Sequence, residues 1–261
     1  QGEVWKAFDR KHQRNVALKI SRSTLGDGRA LARFVREARV LQELAGEHVV
    51  QVVDSGVTEE GLWFVTMELL DGVDLALLVE QQGPLHAARA TKLGAGVARA
   101  LASAHAAGIL HRDVKPANVF VVEPGTSRER AKLLDFGVAG LLEQDHSEAW
   151  TRTGAVIGTP AYMAPEVAMG CGADASSDLY SFGATLHYAL TGRPPSRHEP
   201  SALLERMHAS GGLARWVTRC LALRAEERPG SAADVAAALA ALMADSAPRG
   251  ETHTIEPEES T

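Results

Sequence analysis

The first part of the chain alternates apolar and polar positions in short runs, which is typical of half-buried β-strands. EVWKAFD and NVALKI flank the polar segment RKHQRN and predict an antiparallel hairpin. On its second strand, the two-residue period places Ala17 and Lys19 on one face and Val16, Leu18 and Ile20 on the other. VVQVVDSGV and LWFVTMEL predict two further strands, so we expect this part to form a sheet.

Residues 28–45, between these strands, follow a helical period. Apolar residues recur there at helical spacing and form one stripe, made of Leu31, Phe34, Ala38, Leu41 and Ala45. Glu37 falls inside that stripe, and a carboxylate on a buried face requires a cation or a strong hydrogen-bond donor. Lys19 from the hairpin is one candidate partner, and Arg33, one turn earlier on the same helix, is the other.

The remainder of the chain is predicted to be mostly helical. An alanine-rich helix begins near Leu85 and ends at Gly108, short strands follow around Val119 and at 132–134, and a long loop spans 137–162. Further helices are predicted at SDLYSFGATLHYALTG, SALLERMHA, LARWVTRCLAL and SAADVAAALAALMAD. A β-rich part followed by a helix-rich part predicts an α+β fold with two lobes and a cleft where they meet. Residues 245–261 are polar and acidic without periodicity, which predicts a disordered tail or linker.

Composition narrows the class of protein. With 261 residues, of which 45% are hydrophobic and 23% charged, the chain suits a globular protein of one large or two modest domains. A net charge of −6 argues against nucleic acid as the main partner. Cys171 and Cys220 are too few for a disulfide framework, so we expect a cytoplasmic location. No apolar run reaches the roughly 18 residues of a membrane span, although we expect a fragment whose missing flanks leave room for an anchor.

The candidate chemistry centres on ILHRDVKPANVFVV, where charged residues interrupt apolar runs. His111-Arg112-Asp113 is followed by Asn118 five residues after the aspartate, then by Asp135-Phe136-Gly137 and Ala164-Pro165-Glu166. With Lys19 in VALK and Glu37 upstream, this ordered set resembles the protein kinase family, specifically the bacterial relatives of eukaryotic Ser/Thr kinases. The resemblance extends to about residue 244 and implies the two-lobed kinase fold, with an N-lobe at 1–67, a hinge at 68–73 and a C-lobe at 74–244.

The resemblance also implies roles for the charged residues. Asp113 would accept or orient the proton of the substrate hydroxyl, and Lys115 would neutralise the γ-phosphate and favour Ser/Thr substrates. Asn118 and Asp135 would supply oxygen ligands for Mg²⁺, with Mn²⁺ as an alternative. Lys19 would hold the α- and β-phosphates of ATP, with Glu37 orienting it.

An adenine slot is implied by the same resemblance. Val4, Ala17 and Phe120 match its lining positions, Met67 matches the gatekeeper, and the backbones of Glu68 and Leu70 would hydrogen-bond the base edge. Of the family's glycine-rich phosphate loop, only Gly2 and Val4 are represented. The incomplete loop keeps a catalytically inactive scaffold open as an alternative function.

The resemblance defines an activation segment from Asp135 to Glu166. Thr151 and Thr153 are its phosphorylation candidates, with polar loop residues as the alternative interpretation, and Arg112 would face the added phosphate. Three further assignments are architectural: a buried Glu166–Arg228 ion pair, Asp178 as an anchor of the catalytic loop (residues 111–118), and His111 as a packing residue near Asp135. His105 is interpreted as an ordinary helix residue.

The leading hypothesis is an ATP-dependent protein Ser/Thr kinase in bacterial signal transduction, activated by autophosphorylation. Its expected partners are proteins with Ser or Thr acceptors, and self-association for trans-autophosphorylation is left open. A small-molecule kinase of related fold is a third hypothesis. Such enzymes generally lack the long segment that ends in Ala164-Pro165-Glu166, which is intact here.

Overall fold

The computed structural model describes residues 3–24, 38, 40–44, 46–136, 160–196 and 211–245. Within these ranges, a four-stranded antiparallel sheet has the strand order β1-β2-β4-β3 and consists of β1 (Glu3–Asp9), β2 (Arg14–Thr24), β3 (Val52–Val57) and β4 (Leu62–Glu68). The predicted hairpin is confirmed, because β1 pairs with β2 from Glu3–Ile20 to Asp9–Arg14. Asp9 closes the turn by accepting hydrogen bonds from the backbone N–H groups of Lys11 and His12.

The helix predicted for residues 28–45 is described only near its end. Ala38 and residues 40–43 are helical, and Ala38 and Leu41 are buried in the core, as the apolar stripe requires. Glu37 lies outside the described residues, as does Gly2. Their predicted roles therefore stay predictions.

A second, three-stranded sheet has the order β5-β6-β7 and consists of β5 (Gly72–Asp74), β6 (Val119–Val122) and β7 (Arg130–Leu133), within the described ranges. The chain passes from the first sheet to the second between Glu68 and Gly72. β5 and the helix that follows it, α1 (Leu75–Gln82), were not predicted, because both are short. One signal was present: Asp74 caps α1 by accepting a hydrogen bond from the N–H of Leu77.

The remaining described helices are α2 (Ala87–Ala106), α3 (Pro165–Ala168), α4 (Ala175–Thr191), α5 (Gly211–Cys220) and α6 (Ala232–Asp245). The predicted helices are confirmed, apart from SALLERMHA, which lies outside the described residues. Helix α3 was not predicted, because it is only four residues long. Helix α4 begins with a capping box between Asp174 and Ser177 and ends at Gly192 in the left-handed conformation. Among the described residues, no helix has the length and apolar character needed to cross a bilayer.

Helices α4 and α5 approach closely at Gly183. A Cβ atom at this position would lie 2.6 Å from the Cβ of Cys220, which is completely buried on α5. Glycine weakens a helix interior by about 1 kcal/mol relative to alanine. The close approach of the helix axes therefore explains why a residue with poor helix propensity stands here.

The predicted ion pair between Glu166 and Arg228 is confirmed. Arg228 Nη1 lies 2.6 Å from Glu166 Oε1, Nη2 lies 2.8 Å from Oε2, and the arginine side chain is fully buried. Its remaining donors reach backbone carbonyls, among them those of Ala222 and Ser176. This bidentate pair joins α3 to the segment before α6, and the hydrogen bond from Arg228 lowers the pKa of the Glu166 carboxyl.

Gly183→Ala is expected to lower the free energy of unfolding by about 1–3 kcal/mol, because the new methyl group must push α4 and α5 apart. Urea unfolding of both proteins measures the difference. Gly211→Ala is the matched control, since a Cβ at the start of α5 meets no atom within 4 Å. Equal stability of the Gly183→Ala variant and the parent chain would contradict the packing argument.

Glu166→Gln is expected to change the pH dependence of unfolding. The pKa of Glu166 is lowered from 4.5 by folding, so its carboxylate contributes stability that is complete above pH 4.5 and is lost as the pH falls through the lower folded-state pKa. The difference in urea midpoint between parent and variant should therefore be largest at neutral pH and shrink in acid.

Arg228→Met provides the complementary measurement at neutral pH. It leaves a partly exposed carboxylate without its cation, and should therefore cost more than the loss of an exposed pair, up to the about 3–5 kcal/mol of buried pairs broken on one side. Arg224→Met, which breaks the exposed pair with Glu226, should cost less than about 1 kcal/mol. Similar losses for both variants would show that burial does not distinguish the two ion pairs.

Candidate active site

The catalytic loop is held by a buried carboxylate on α4. Asp178 Oδ2 accepts a hydrogen bond from the backbone N–H of His111 and Oδ1 accepts one from that of Arg112, each 2.8 Å long. Arg112 has a φ of 65°, a left-handed conformation that non-glycine residues seldom adopt. Two hydrogen bonds to one carboxylate offset this strain, so the predicted anchoring role of Asp178 is confirmed.

His105 is a third partner of Asp178, and its interpretation as an ordinary helix residue was wrong. Its Nε2 lies 2.8 Å from Asp178 Oδ2. Helical periodicity places His105 on α2 but cannot show that α4 brings a carboxylate to it. The donors of α2 and of the catalytic loop together satisfy the buried Asp178.

His111 has the structural role that was predicted. It is completely buried, its ring packs 4.8 Å from that of Phe136, and its Nε2 lies 2.7 Å from the carbonyl oxygen of Leu134. Burial lowers the pKa of His111, which favours the neutral imidazole. In the tautomer that fits these contacts, Nε2 donates to Leu134 and Nδ1 accepts from the N–H of Asp113.

Asp113, Lys115 and Asn118 form one cluster. Asp113 Oδ2 accepts hydrogen bonds from Lys115 Nζ at 2.7 Å and from Asn118 Nδ2 at 2.9 Å. Asn118 Nδ2 also donates to the carbonyl oxygen of Asp113. Asp113 remains 48% exposed, and no described residue donates to its Oδ1. Among the described residues, the carboxylate is thus held through one oxygen only.

Strand pairing brings Asn118 next to Asp135. Asn118 directly precedes β6, and Asp135 lies two residues after Leu133, the last residue of β7. The N–H of Leu134 donates to the carbonyl oxygen of Asn118 at 2.8 Å. Because β6 and β7 are antiparallel, the start of one strand lies beside the end of the other. Both hydrogens of the Asn118 amide point to Asp113, so its Oδ1 is the atom available to a cation.

Lys19 connects the first sheet to this cluster. Its Nζ lies 2.7 Å from Asp135 Oδ1, with the lysine side chain 15% exposed and the aspartate 33%. Lys19 is therefore not an ordinary solvated lysine, the alternative that its sequence position allowed. The contact with Asp135 was not predicted, because residues so distant in the chain share no local pattern.

Of the residues assigned to the adenine slot, those on β1, β2 and β4 are brought together by strand pairing. Val4 pairs in register with Lys19, and Ala17 pairs with Met67, so each pair shares one face of the sheet. Met67 is buried, whereas Val4 is exposed on the edge strand β1. Phe120 on β6 and Leu70, which packs against the core, are partly buried.

A small cavity of about 20 Å³ lies beside the contact between Lys19 and Asp135. Its walls are mostly apolar and come from the first sheet, the segment between β2 and β3, and the segment after β7. They are Leu41, Val50, Val52, Trp63, Val65, Met67 and Phe136. A lysine and an aspartate on an apolar cavity are poorly screened by water, which strengthens their attraction.

The oxygen donors suit a magnesium ion. Mg²⁺ keeps several waters and binds one or two protein oxygens together with substrate phosphates, and Asn118 Oδ1 with Asp135 provides such a set. Across the described ranges, no group of three or more His, Cys, Asp or Glu side chains could hold a metal ion by itself. Lys19 and Lys115 add positive charge on either side of these oxygens. The arrangement can therefore hold a polyphosphate near an open carboxylate.

Thr151 and Thr153 lie outside the described residues, so their roles stay predictions. The segment resumes at the 3-10 turn Pro160–Tyr162 and runs into α3, where Glu166 pairs with Arg228. The last residue of the predicted activation segment, Glu166, is thus held by its ion pair with Arg228.

Comparisons with known proteins agree on one family. A family model described as "Protein kinase domain" matches residues 1–242. Serine/threonine-protein kinase pkn3 of Myxococcus xanthus is 35% identical over 95% of this chain and 50% of its own length. Serine/threonine-protein kinase pkn2 of the same organism is 38% identical over 92% of this chain and 31% of its own length. PknB of Mycobacterium tuberculosis is 40% identical over 74% of this chain and 31% of its own length.

The fold is matched by a solved structure. The crystal structure of Rad53 1-466 in complex with AMP-PNP has a TM-score of 0.72 to this chain, at 23% identity, and the match covers 90% of this chain and 60% of that one. The two-lobed kinase fold predicted from the motifs is confirmed by this likeness. The chain spans half or less of the length of the three curated relatives described above. Because the family model and the first two relatives each extend over more than nine-tenths of its length, the chain belongs to the protein kinase domain family.

Proposed function

We propose that this domain transfers the γ-phosphate of ATP to Ser and Thr hydroxyls of proteins in bacterial signal transduction. The observation that carries the proposal is the single cluster formed by Asp113, Lys115 and Asn118, with Asp135 and Lys19 at the adjoining strand ends. Phosphoryl transfer depends mainly on positioning and charge neutralisation, and this cluster supplies both.

ATP would lie between the two sheets. Ala17, Met67 and Phe120 would contact the adenine, with the backbones of Glu68 and Leu70 bonding its edge; Val4 and Gly2 would cover it from β1 and the residue before it. Lys19 would bind the α- and β-phosphates, with Glu37 proposed as its orienting partner. Asn118 and Asp135 would hold Mg²⁺, or Mn²⁺ in its place, which when bound neutralises charge on the phosphates.

Asp113 would act on the substrate hydroxyl. Lys115 and Asn118 hold its Oδ2, so the exposed Oδ1 is the atom that would accept the hydroxyl proton. Lys115 is a cation directly beside this carboxylate and would stabilise negative charge on the transferred phosphoryl group. Both roles require the fixed backbone that Asp178 provides.

Partners and location follow from the same proposal. The substrates would be proteins that present Ser or Thr, including a second copy of the chain if autophosphorylation occurs in trans. A cytoplasmic location is supported by the free thiols of Cys171 and Cys220. Cys220 is buried, which raises the pKa of its thiol to about 12, so this thiol has no evident reactive role.

Asp113→Asn is expected to lower the rate of phosphate transfer from labelled ATP by about 10²–10⁴-fold, because the amide cannot accept the hydroxyl proton. Incorporation into the chain itself and into a Ser/Thr peptide mixture measures the effect. Asp245→Asn, at the end of α6, is the matched control and should leave the rate unchanged. Equal incorporation by Asp113→Asn and the parent would reject the assignment and favour the scaffold hypothesis.

Thr151→Ala/Thr153→Ala is expected to lower transfer to a protein substrate about ten-fold relative to the phosphorylated parent, which corresponds to losing one charge-assisted hydrogen bond. The variant should match the parent after phosphatase treatment, and Ser147→Ala, which removes a weaker phosphorylation candidate in the same segment, should have a smaller effect. If phosphorylated parent, dephosphorylated parent and double variant all turn over equally, these threonines do not regulate the domain.

A further inference from the structure

An ion pair between a buried lysine and a partly exposed glutamate joins the two sheets at the hinge. Lys132 on β7 places its Nζ 2.6 Å from Oε1 of Glu68, the last residue of β4. The lysine side chain is only 8% exposed, and its Nζ also donates to the carbonyl oxygen of Val49 at 3.2 Å. None of the assignments made above uses Lys132.

Glu68 is fixed through its side chain and its backbone together. The same Oε1 that binds Lys132 accepts a hydrogen bond from the N–H of Gln51 at 2.8 Å. The backbone N–H of Glu68 donates in turn to the carbonyl oxygen of Gln51 at 3.0 Å. The peptide units around Glu68 therefore have little freedom to rotate, and the carboxylate is the point where the constraints meet.

The segment that binds Glu68 is itself attached to β7. The N–H of Leu133 donates to the carbonyl oxygen of His48 at 2.8 Å, and the N–H of Val50 donates to that of Leu133 at 3.2 Å. His48 Nδ1 also lies 2.9 Å from the carbonyl oxygen of Ala131. Residues 48–51 thus form a connecting segment that is hydrogen-bonded to both Glu68 and β7. The position of Glu68 therefore depends on β7, the strand that leads to Asp135.

Stability alone gives a weak reason for a lysine at this position. Removing an ammonium group from water is costly, and a well-packed apolar side chain often stabilises a protein as well as a buried ion pair does. What the charge adds is direction, because one ammonium group binds both Glu68 and the carbonyl oxygen of Val49. A role in positioning accounts for that specificity.

We propose that Lys132 is a positioning residue that acts through Glu68 to hold the hinge backbone, Glu68–Leu70, in the orientation that binds adenine. The inference rests on the proposed function, since it requires ATP in the cleft with its base against this backbone. Lys132 also pairs in register with Phe120, which would contact the same base from the neighbouring strand. Loss of Lys132 should therefore weaken binding of the base more than transfer of the phosphate.

Lys132→Met keeps an unbranched side chain, one atom shorter than that of lysine, and removes its charge. It is expected to raise the KM for ATP and the Kd for adenosine about three- to ten-fold, a typical coupling between neighbouring groups, while kcat at saturating ATP changes less than about two-fold. Lys132→Arg, which retains a cation for Glu68, should restore most of the affinity. Steady-state kinetics and calorimetric titration with adenosine give the two readouts.

Arg130→Met is the matched control. Arg130 lies two residues earlier on β7, on the same face, and pairs with Glu123 instead of the hinge. This variant removes an equivalent cation from the same strand and should leave both ATP KM and adenosine affinity unchanged. An equal loss of affinity in Arg130→Met would overturn the proposal, because any disturbance of β7 would then suffice.

A double-mutant cycle tests whether Lys132 acts through Glu68. Glu68→Met and Lys132→Met should each weaken adenosine binding, and the double variant should be no weaker than either single variant. Additive losses would mean that the two residues act independently and would overturn the proposal. If Lys132→Met fails to fold, Glu68→Gln carries the test, since it keeps the shape of the side chain; unchanged adenosine affinity in that variant would equally overturn it.

The failure of this inference can be distinguished from that of the proposed function. A parent chain that neither binds ATP nor transfers phosphate defeats the function. An active parent whose Lys132→Met variant keeps the same KM defeats only the positioning role. A variant that loses kcat and ATP affinity in equal measure, with a lowered Tm, would assign Lys132 a general structural role and also overturn the proposal.

Discussion

The geometry of the site depends on one buried carboxylate. Asp178 is 1% exposed and receives the backbone donors of His111 and Arg112 as well as the ring of His105. A buried carboxylate is costly unless its oxygens are satisfied, and an arginine in the left-handed region is costly unless its neighbours hold it. The same hydrogen bonds compensate both costs, because the strained turn presents the N–H groups that the carboxylate needs.

The strained turn also sets the position of the residues proposed to act in phosphoryl transfer. It directs residues 113–118 toward the start of β6, and the antiparallel partner β7 ends beside them at Asp135. Lys19 then reaches from the first sheet to the same aspartate. Residues from three distant parts of the sequence therefore meet where the two sheets face each other, and the backbone register of β6 and β7 sets the spacing of the oxygen donors.

Local patterns in the sequence predicted most of this architecture. Alternation found the hairpin, helical periodicity found α2, α4, α5 and α6, and motif order identified the family and the pairs that fix its architecture, Glu166–Arg228 and the contacts of Asp178. Two short elements escaped: β5 because three residues carry no period, and α1 because its consecutive apolar residues, LALLV, conceal the helical spacing of its buried positions. The contacts of Lys19 with Asp135, His105 with Asp178 and Lys132 with Glu68 escaped for another reason: each joins residues whose proximity depends on how whole elements pack.

The charged residues of the domain divide by how completely their partners satisfy them. Arg228, Asp178 and Lys132 are nearly or fully buried, and the charged group of each is bonded to protein atoms in one arrangement. Asp113 and Asp135 are substantially exposed, and each engages described residues through one carboxylate oxygen while the other accepts from none of them. A charge that is fully used within the protein can only orient its neighbours, whereas one with an unshared oxygen can still bind a ligand. This difference separates the residues that build the cleft from those proposed to act in it, and it places Lys132 with the former.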